Sequence, residues 1–179
     1  MQRREESPRE VALPASALAA IRRSLRSEAG PLATIHALHA AGYDAGEVVH
    51  ASFARVLGTP PEETSERRFW SCLEEFLARR GWGTLVHHAA HPGLGVLSSP
   101  DWAEAGQATE SQPACAFTTG LLSHLLTRAA GGPVAVLEVS CRARGDDRCT
   151  FAFGSEATVH DLYGLLLDGA DLDTAMRGL

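Results

Sequence analysis

Apolar residues in the first third of the chain recur at three- and four-residue spacing, the signature of helices that bury one face. Leu18, Ile21 and Leu25 form such a stripe, with Arg22, Arg23 and Arg26 assigned to the outer face, and Gly30-Pro31 closes the run. This predicts a helix over residues 15–29. A second helical run covers residues 31–57 through Ile35, Leu38, Val48, Val49, Phe53 and Val56. Gly42 and Gly46 interrupt it, and glycine at that spacing signals either a kink or the close approach of another backbone. After the breaker Thr59-Pro60-Pro61, residues 62–80 carry Phe69, Trp70, Leu73, Phe76 and Leu77 on one face and predict a third helix.

The pattern changes at Gly81-Trp82-Gly83. Residues 84–86 and 95–97 read as short strands around His91-Pro92-Gly93, a hairpin that opens the second half. Residues 99–114 have no period and read as a loop with Trp102 as its one large apolar group. A helix is expected over 114–130, closed by Gly131-Gly132, then β-rich runs at 134–142 and 148–153, and a last helix at 159–167. Residues 1–12 are polar and read as a disordered tail, leaving one domain over about 13–170.

Composition narrows the function. The net charge of −6 and the absence of a basic face disfavour nucleic acid. No apolar run reaches the roughly 20 residues of a membrane span, and the polar N-terminus is no signal peptide, so a cytoplasmic protein is expected. All 16 basic residues are Arg. Without Lys there is no P-loop lysine, no Schiff base and no lysine general base. Gly93-Leu94-Gly95 lacks the third glycine of a dinucleotide loop.

Four cysteines in a reducing compartment point away from disulfides. Cys72 falls among core positions of the third helix and reads as an ordinary buried thiol. Cys141 and Cys149 flank Arg142 to Arg148, and a five-residue turn centred on Gly145 would set them opposite each other on one face. Cys115 is expected in the first turn of its helix, where the dipole favours a thiolate. Glu138, three residues before Cys141, would point to the other face of an ideal strand, and only a bulge or twist would bring it round. The plain alternative is a pair of buried thiols, with Glu138 paired to a surface Arg. His87, His88 and His91 offer a weaker second cluster, because neighbours in a strand point opposite ways. His36 and His39 share a helix face without an acidic or thiol partner and read as surface or interface groups.

The segment Glu138-Val-Ser-Cys141-Arg-Ala-Arg-Gly-Asp-Asp-Arg-Cys149 resembles the signature of the V4R (4-vinyl reductase) domain family. That family includes the sensor domains of phenol- and xylene-responsive activators and a bacteriochlorophyll-biosynthesis protein, and it is related to TRAPP trafficking subunits. Residues 41–46 resemble a second element, a Gly-rich break in an early helix. The resemblance implies an α+β fold with N-terminal helices packed on an antiparallel sheet, commonly a homodimer through those helices, and a pocket for a small apolar or aromatic molecule. It implies a zinc ion held by Cys115, Glu138, Cys141 and Cys149. A shell filled by four protein ligands is structural rather than catalytic, and Arg142, Arg144 and Arg148 are expected to offset its charge.

Tyr43, Trp82, Trp102, Phe117 and His124 are the candidates for lining the pocket, since aromatic walls with a few polar tips suit aromatic ligands. The segment between the hairpin and Cys115 is shorter than in the phenol sensors, so their ligand contacts do not carry over residue by residue. A sensor or carrier domain is the leading reading, with any output passing through a separate partner protein. The family also suggests a reductase or accessory protein of tetrapyrrole biosynthesis, or a TRAPP-like assembly adaptor. No cofactor motif or acid–base pair supports catalysis.

Overall fold

The computed structural model describes residues 10–106 and 112–179, so most of the expected tail at 1–12 lies outside the described residues. Two long helices come first, α1 (Ala15–Ala29) and α2 (Pro31–Leu57), joined at Gly30, whose φ of +82° only glycine takes up readily. A single 3₁₀ turn at Pro61–Glu63 leads into α3 (Glu66–Ala78). This 3₁₀ turn and the extended Thr64 and Ser65 divide what the periodicity reads as one helix over 62–80. The hairpin β1 (Val86–His91) and β2 (Leu94–Ser99) follows, then α4 (Ala116–Ala130), β3 (Ala135–Ser140), β4 (Cys149–Gly154), α5 (Glu156–Leu167) and α6 (Leu172–Arg177). The short α6 has no counterpart in the sequence reading. Asp171 caps it, its carboxylate accepting from the Thr174 amide.

The four strands form one antiparallel sheet in the order β1-β2-β4-β3. Alternation along β4 divides the core into two. Cys149 and Phe151 join Leu97, Leu122 and Leu125 beneath α2, α3 and α4. Ala152, next after Phe151 and so on the opposite side of the pleat, meets Leu94, Val159 and Leu162 under α5 and α6. The fold is therefore α+β, with helices on both faces of the sheet, the larger core lying under the N-terminal ones.

Helices α2 and α4 cross at backbone contact. A Cβ on Gly42 would lie 2.8 Å from the Phe117 carbonyl carbon and 3.0 Å from Leu121 N, and nearer still to Phe117 O. Across the seam, a Cβ on Gly120 would lie 2.8 Å from Tyr43 N and 2.9 Å from His39 C. Gly46 receives the side chain of His124. Of the two roles open to these glycines, close approach is the one observed: α2 runs unbroken through Gly42 and Gly46, which corrects the expected Gly-rich break. Packing gained at the seam outweighs the lost helix propensity of about 1 kcal/mol per glycine.

Helix α1 also departs from its predicted stripe. Its buried residues are Ala19 and Arg22, while Ile21 is 46% exposed. Arg22 reaches across to donate to the carbonyls of Glu104 (3.0 Å) and Ala114 (3.1 Å), so an arginine assigned to the outer face ties α1 to the start of α4. A charged side chain is tolerated there because it meets main-chain acceptors that would otherwise be buried without donors.

Candidate metal centre and ligand groove

Cys115, Glu138, Cys141 and Cys149 converge in the larger core, with one ligand atom from each within 4.8 Å of all the others. The three thiols are fully buried. Cys115 is the N-cap residue of α4, Cys149 begins the central strand β4, and Cys141 immediately follows β3. Register explains Glu138. It pairs with Phe151, but Ser140 pairs with Thr150, so two residues of β3 oppose one of β4. That bulge turns Glu138 and Cys141 to the same side, as the sequence reading required. The connection from Cys141 to Cys149 is wider than the expected five-residue turn. It opens with a 3₁₀ turn at Arg142–Arg144, followed by Gly145 at φ +99°.

The sulfur of Cys115 lies 3.9 Å from that of Cys141 and 3.8 Å from that of Cys149. Zn–S bonds near 2.3 Å in a tetrahedron place sulfurs about 3.8 Å apart, so the observed edges fit. Glu138 Oε2 accepts from the Cys115 amide at 2.8 Å, while its buried Oε1 has no hydrogen-bond partner. An orphaned carboxylate oxygen beside three sulfurs is what a cation would satisfy. Burial, reinforced by Cys141, pushes the Glu138 carboxyl up to about 8. Hydrogen bonds to Cys141 and Cys149 raise the Cys115 thiol, and bonds to Cys115 and Cys141 lower Cys149. The cluster thus shares protons for lack of positive charge, and a bound cation would displace them.

Main-chain amides reach the sulfurs. Ala114 N lies 3.4 Å from Cys141 Sγ, and the Arg142 amide donates to Cys149. Arg144 instead binds Asp146 at 2.9 Å, and Asp146 in turn accepts from Cys141 N at 2.7 Å. This corrects the expectation for Arg144: it orders the turn that presents Cys141 rather than facing the cluster.

Two buried groups that the sequence reading passed over brace the site. Glu104, 2% exposed, accepts from the amides of Phe117 (2.9 Å) and Thr118 (2.8 Å) and from the Thr118 hydroxyl, closing the N-terminus of α4. Burial raises its carboxyl to about 7. Arg22 holds the Glu104 carbonyl from the other side. A carboxylate 13 residues from its partners leaves no local motif, so nothing in the spacing marks it.

The five aromatic and histidine candidates separate into two groups. Trp82 stacks on both Trp102 (5.7 Å between ring centroids) and Phe117 (5.9 Å), and the buried Trp102 donates to Thr118 Oγ1 at 2.7 Å. Tyr43 packs edge-on to His124 at 4.8 Å, on the α2–α4 seam, where His124 Nε2 is 3.2 Å from Glu47 Oε2. None of the five lines the open groove of about 530 Å³ that the described residues form beside the sheet. That groove runs between α3, the β1–β2 turn, the end of α4 and β4, floored by Phe69, Trp70 and Phe153. His87 lies flat on Trp70 at 4.0 Å. His88 meets Ser98 Oγ, and His91 accepts from Gly93 N, so the three histidines go separate ways.

Residues 99–155 match the sequence model of the V4R domain. The resemblance read from the cysteine hairpin holds over this V4R segment, which contains all four members of the cluster. No curated protein is a sequence match. Among solved structures, the chain is similar to the phenol-responsive sensory domain of the transcription activator PoxR, solved with phenol: 16% identity, TM-score 0.71, covering 92% of this chain and 86% of that one. It is also similar to a vinyl-4-reductase family protein from Methanocaldococcus jannaschii, at 16% identity and TM-score 0.52, covering 83% of each chain. A third is subunit 3 of a trafficking protein particle complex from Naegleria fowleri, covalently bound to palmitic acid. Identity is 11% and the TM-score 0.64, over 78% of this chain and 91% of that one. At these identities the likeness is one of fold. No described helix is long and apolar enough to cross a membrane.

Proposed function

We propose that this chain is a ligand-binding sensor or carrier domain, non-catalytic, whose V4R segment is pinned by one structural zinc ion. The observation that carries the metal is the buried triad of Cys115, Cys141 and Cys149, with the two edges from Cys115 at tetrahedral spacing and the orphaned Glu138 Oε1 beside it. Thiolates favour zinc over the oxygen-seeking cations, and four protein ligands leave no position for substrate water. Free thiols with this duty belong in a reducing compartment, and we place the protein in the cytoplasm. The test is metal content of protein purified without chelators, for wild type and Cys141→Ser. We expect about one zinc per wild-type chain, and in the variant loss of zinc with stability lowered by several kcal/mol, because metal-coupled folding is lost. Metal-free wild type, or a variant that melts unchanged, would refute the assignment.

For ligand binding, the supporting observations are the groove, whose volume lies in the usual range for small-molecule sites, and two similar folds holding small apolar molecules. A ligand that binds only the folded state raises the melting temperature with concentration, so a panel of small aromatic compounds tests it. Failure of every member would count against the sensor reading while leaving the zinc assignment intact. We also propose a homodimer through the N-terminal helices. Ile21, Leu32 and Ile35 are exposed on α1 and α2, apolar surface that a second copy would cover. Sedimentation of wild type and Ile35→Glu checks this: a monomeric wild type refutes it. The signal would then pass to a separate output protein.

A further inference from the structure

Apart from the rings of His87 and His91, the ionisable lining of the groove is of one sign. Its floor is aromatic, with Trp70 at 4.9 Å from Phe69 and 5.4 Å from Phe153, and its rim carries the carboxylates of Glu62 and Glu66. No arginine among the described residues lines it, although α3 carries Arg67 and Arg68 and α4 carries Arg128. Both carboxylates are exposed, so they stay hydrated until something covers them. Burial lowers the His87 pKa, while Glu66 acts to raise it. The ring is therefore neutral near pH 7.5 and adds no positive charge.

Such a surface sorts ligands by charge. A neutral aromatic molecule gains only stacking and burial. An anion gains the same but is repelled by two carboxylates and by a chain of net charge −6. A cation is attracted to the negative faces of the aromatic rings and to the carboxylates together. Resting on the reading of this groove as the ligand site, we infer that it selects a small organic cation with a flat apolar body, an arylalkylammonium compound, over neutral or anionic molecules of the same shape.

Three probes of matched size separate the cases: phenethylammonium, 2-phenylethanol and 3-phenylpropionate, titrated calorimetrically into metal-loaded full-length protein at pH 7.5. The ammonium compound should bind at least tenfold more tightly than the alcohol, with the carboxylate weakest. Raising the salt concentration should narrow the gap, because the rim is exposed. In Glu62→Gln/Glu66→Gln the preference should fall to threefold or less while affinity for the alcohol is kept. Both positions are exposed, and an unchanged melting temperature confirms that the variant is folded. Equal binding of alcohol and ammonium overturns the inference but leaves the groove a ligand site, and so does a charge preference that survives in the double variant. Absence of binding by all three up to millimolar concentration overturns both the inference and the groove as the ligand site.

Discussion

Replacing Gly120 with Ala puts a methyl group where two helices already touch. The added carbon would lie 2.8 Å from Tyr43 N and 2.9 Å from His39 C, and nearer still to His39 O. Relaxed contacts between carbon atoms lie near 3.5–4.0 Å, so α2 and α4 must part by more than half an ångström. The obstructing atoms are backbone, so no side chain can swing aside. Overpacking of this kind costs about 1–3 kcal/mol, and the rigidity of both walls places this case at the upper end. Alanine returns about 1 kcal/mol of helix propensity. The expected net loss is about 2 kcal/mol, or roughly 4–8 °C in Tm for a chain of this length. Gly164→Ala is the matched control. It lies within α5 with nothing within 4 Å of the added Cβ, so it should stabilise by about 0.5–1 kcal/mol. Gly42→Ala should resemble Gly120→Ala, and the double variant should cost less than the sum, because helices parted once need not part again. Urea denaturation of the metal-loaded proteins measures all four. A Gly120→Ala protein as stable as wild type, with an unchanged m value, would refute backbone contact at the seam.

Two further predictions concern the brace around α4. Glu104 titrates near 7 when folded and near 4.5 in the unfolded chain, so the folded state binds the extra proton between those values. Stability from this group should therefore be full below about pH 4.5 and fall by about 3 kcal/mol as the pH rises through 7. Melting of metal-loaded wild type and Glu104→Gln across pH 5–8 checks it, the variant losing that slope while being weaker at pH 5 through a lost bond to the α4 amides. Arg22→Met removes the donor to two buried carbonyls and should cost about 1–3 kcal/mol for each. Chemical denaturation measures that loss, and amide hydrogen exchange should show protection falling first at the start of α4; uniform protection would argue against the tie.

Most of the fold could be read from periodicity because burial here follows regular elements. Helices α1 and α2 have the boundaries that their breakers predict, since Gly30-Pro31 divides them and α2 stops just before Thr59-Pro60-Pro61, for reasons internal to the chain. Strand β2 runs longer than expected, and β1 begins at Val86, where the expected strand ends, and takes in His91 of the expected turn, because it is an exposed edge whose His and Ala residues carry no apolar alternation. Cys141 and Cys149 were visible from residue type and the spacing across one hairpin, and Cys115 from its place at the start of a helix. Glu138 was visible only with the condition of a bulge, a property of pairing rather than of sequence period. What stayed hidden depends on contacts between distant segments. Arg22 and Glu104 look like solvated charges until α1 and α4 are brought together, and the buried faces of Trp82, Trp102 and Phe117 are consumed by one another. The choice between kink and close approach at Gly42 likewise needed the partner helix.

The glycine seam bears on how a message could leave this domain. Between most packed helices a layer of side chains absorbs small displacements by changing rotamer. At Gly42 and Gly120 that cushion is missing, and main chain rests on main chain. Helix α4 begins at Cys115, one of the four clustered side chains, and ends along the groove, so a tilt imposed on it at either end would pass to α2 with little damping. The outward side of α2, with Leu32 and Ile35, is then where such motion would become legible to whatever the protein touches.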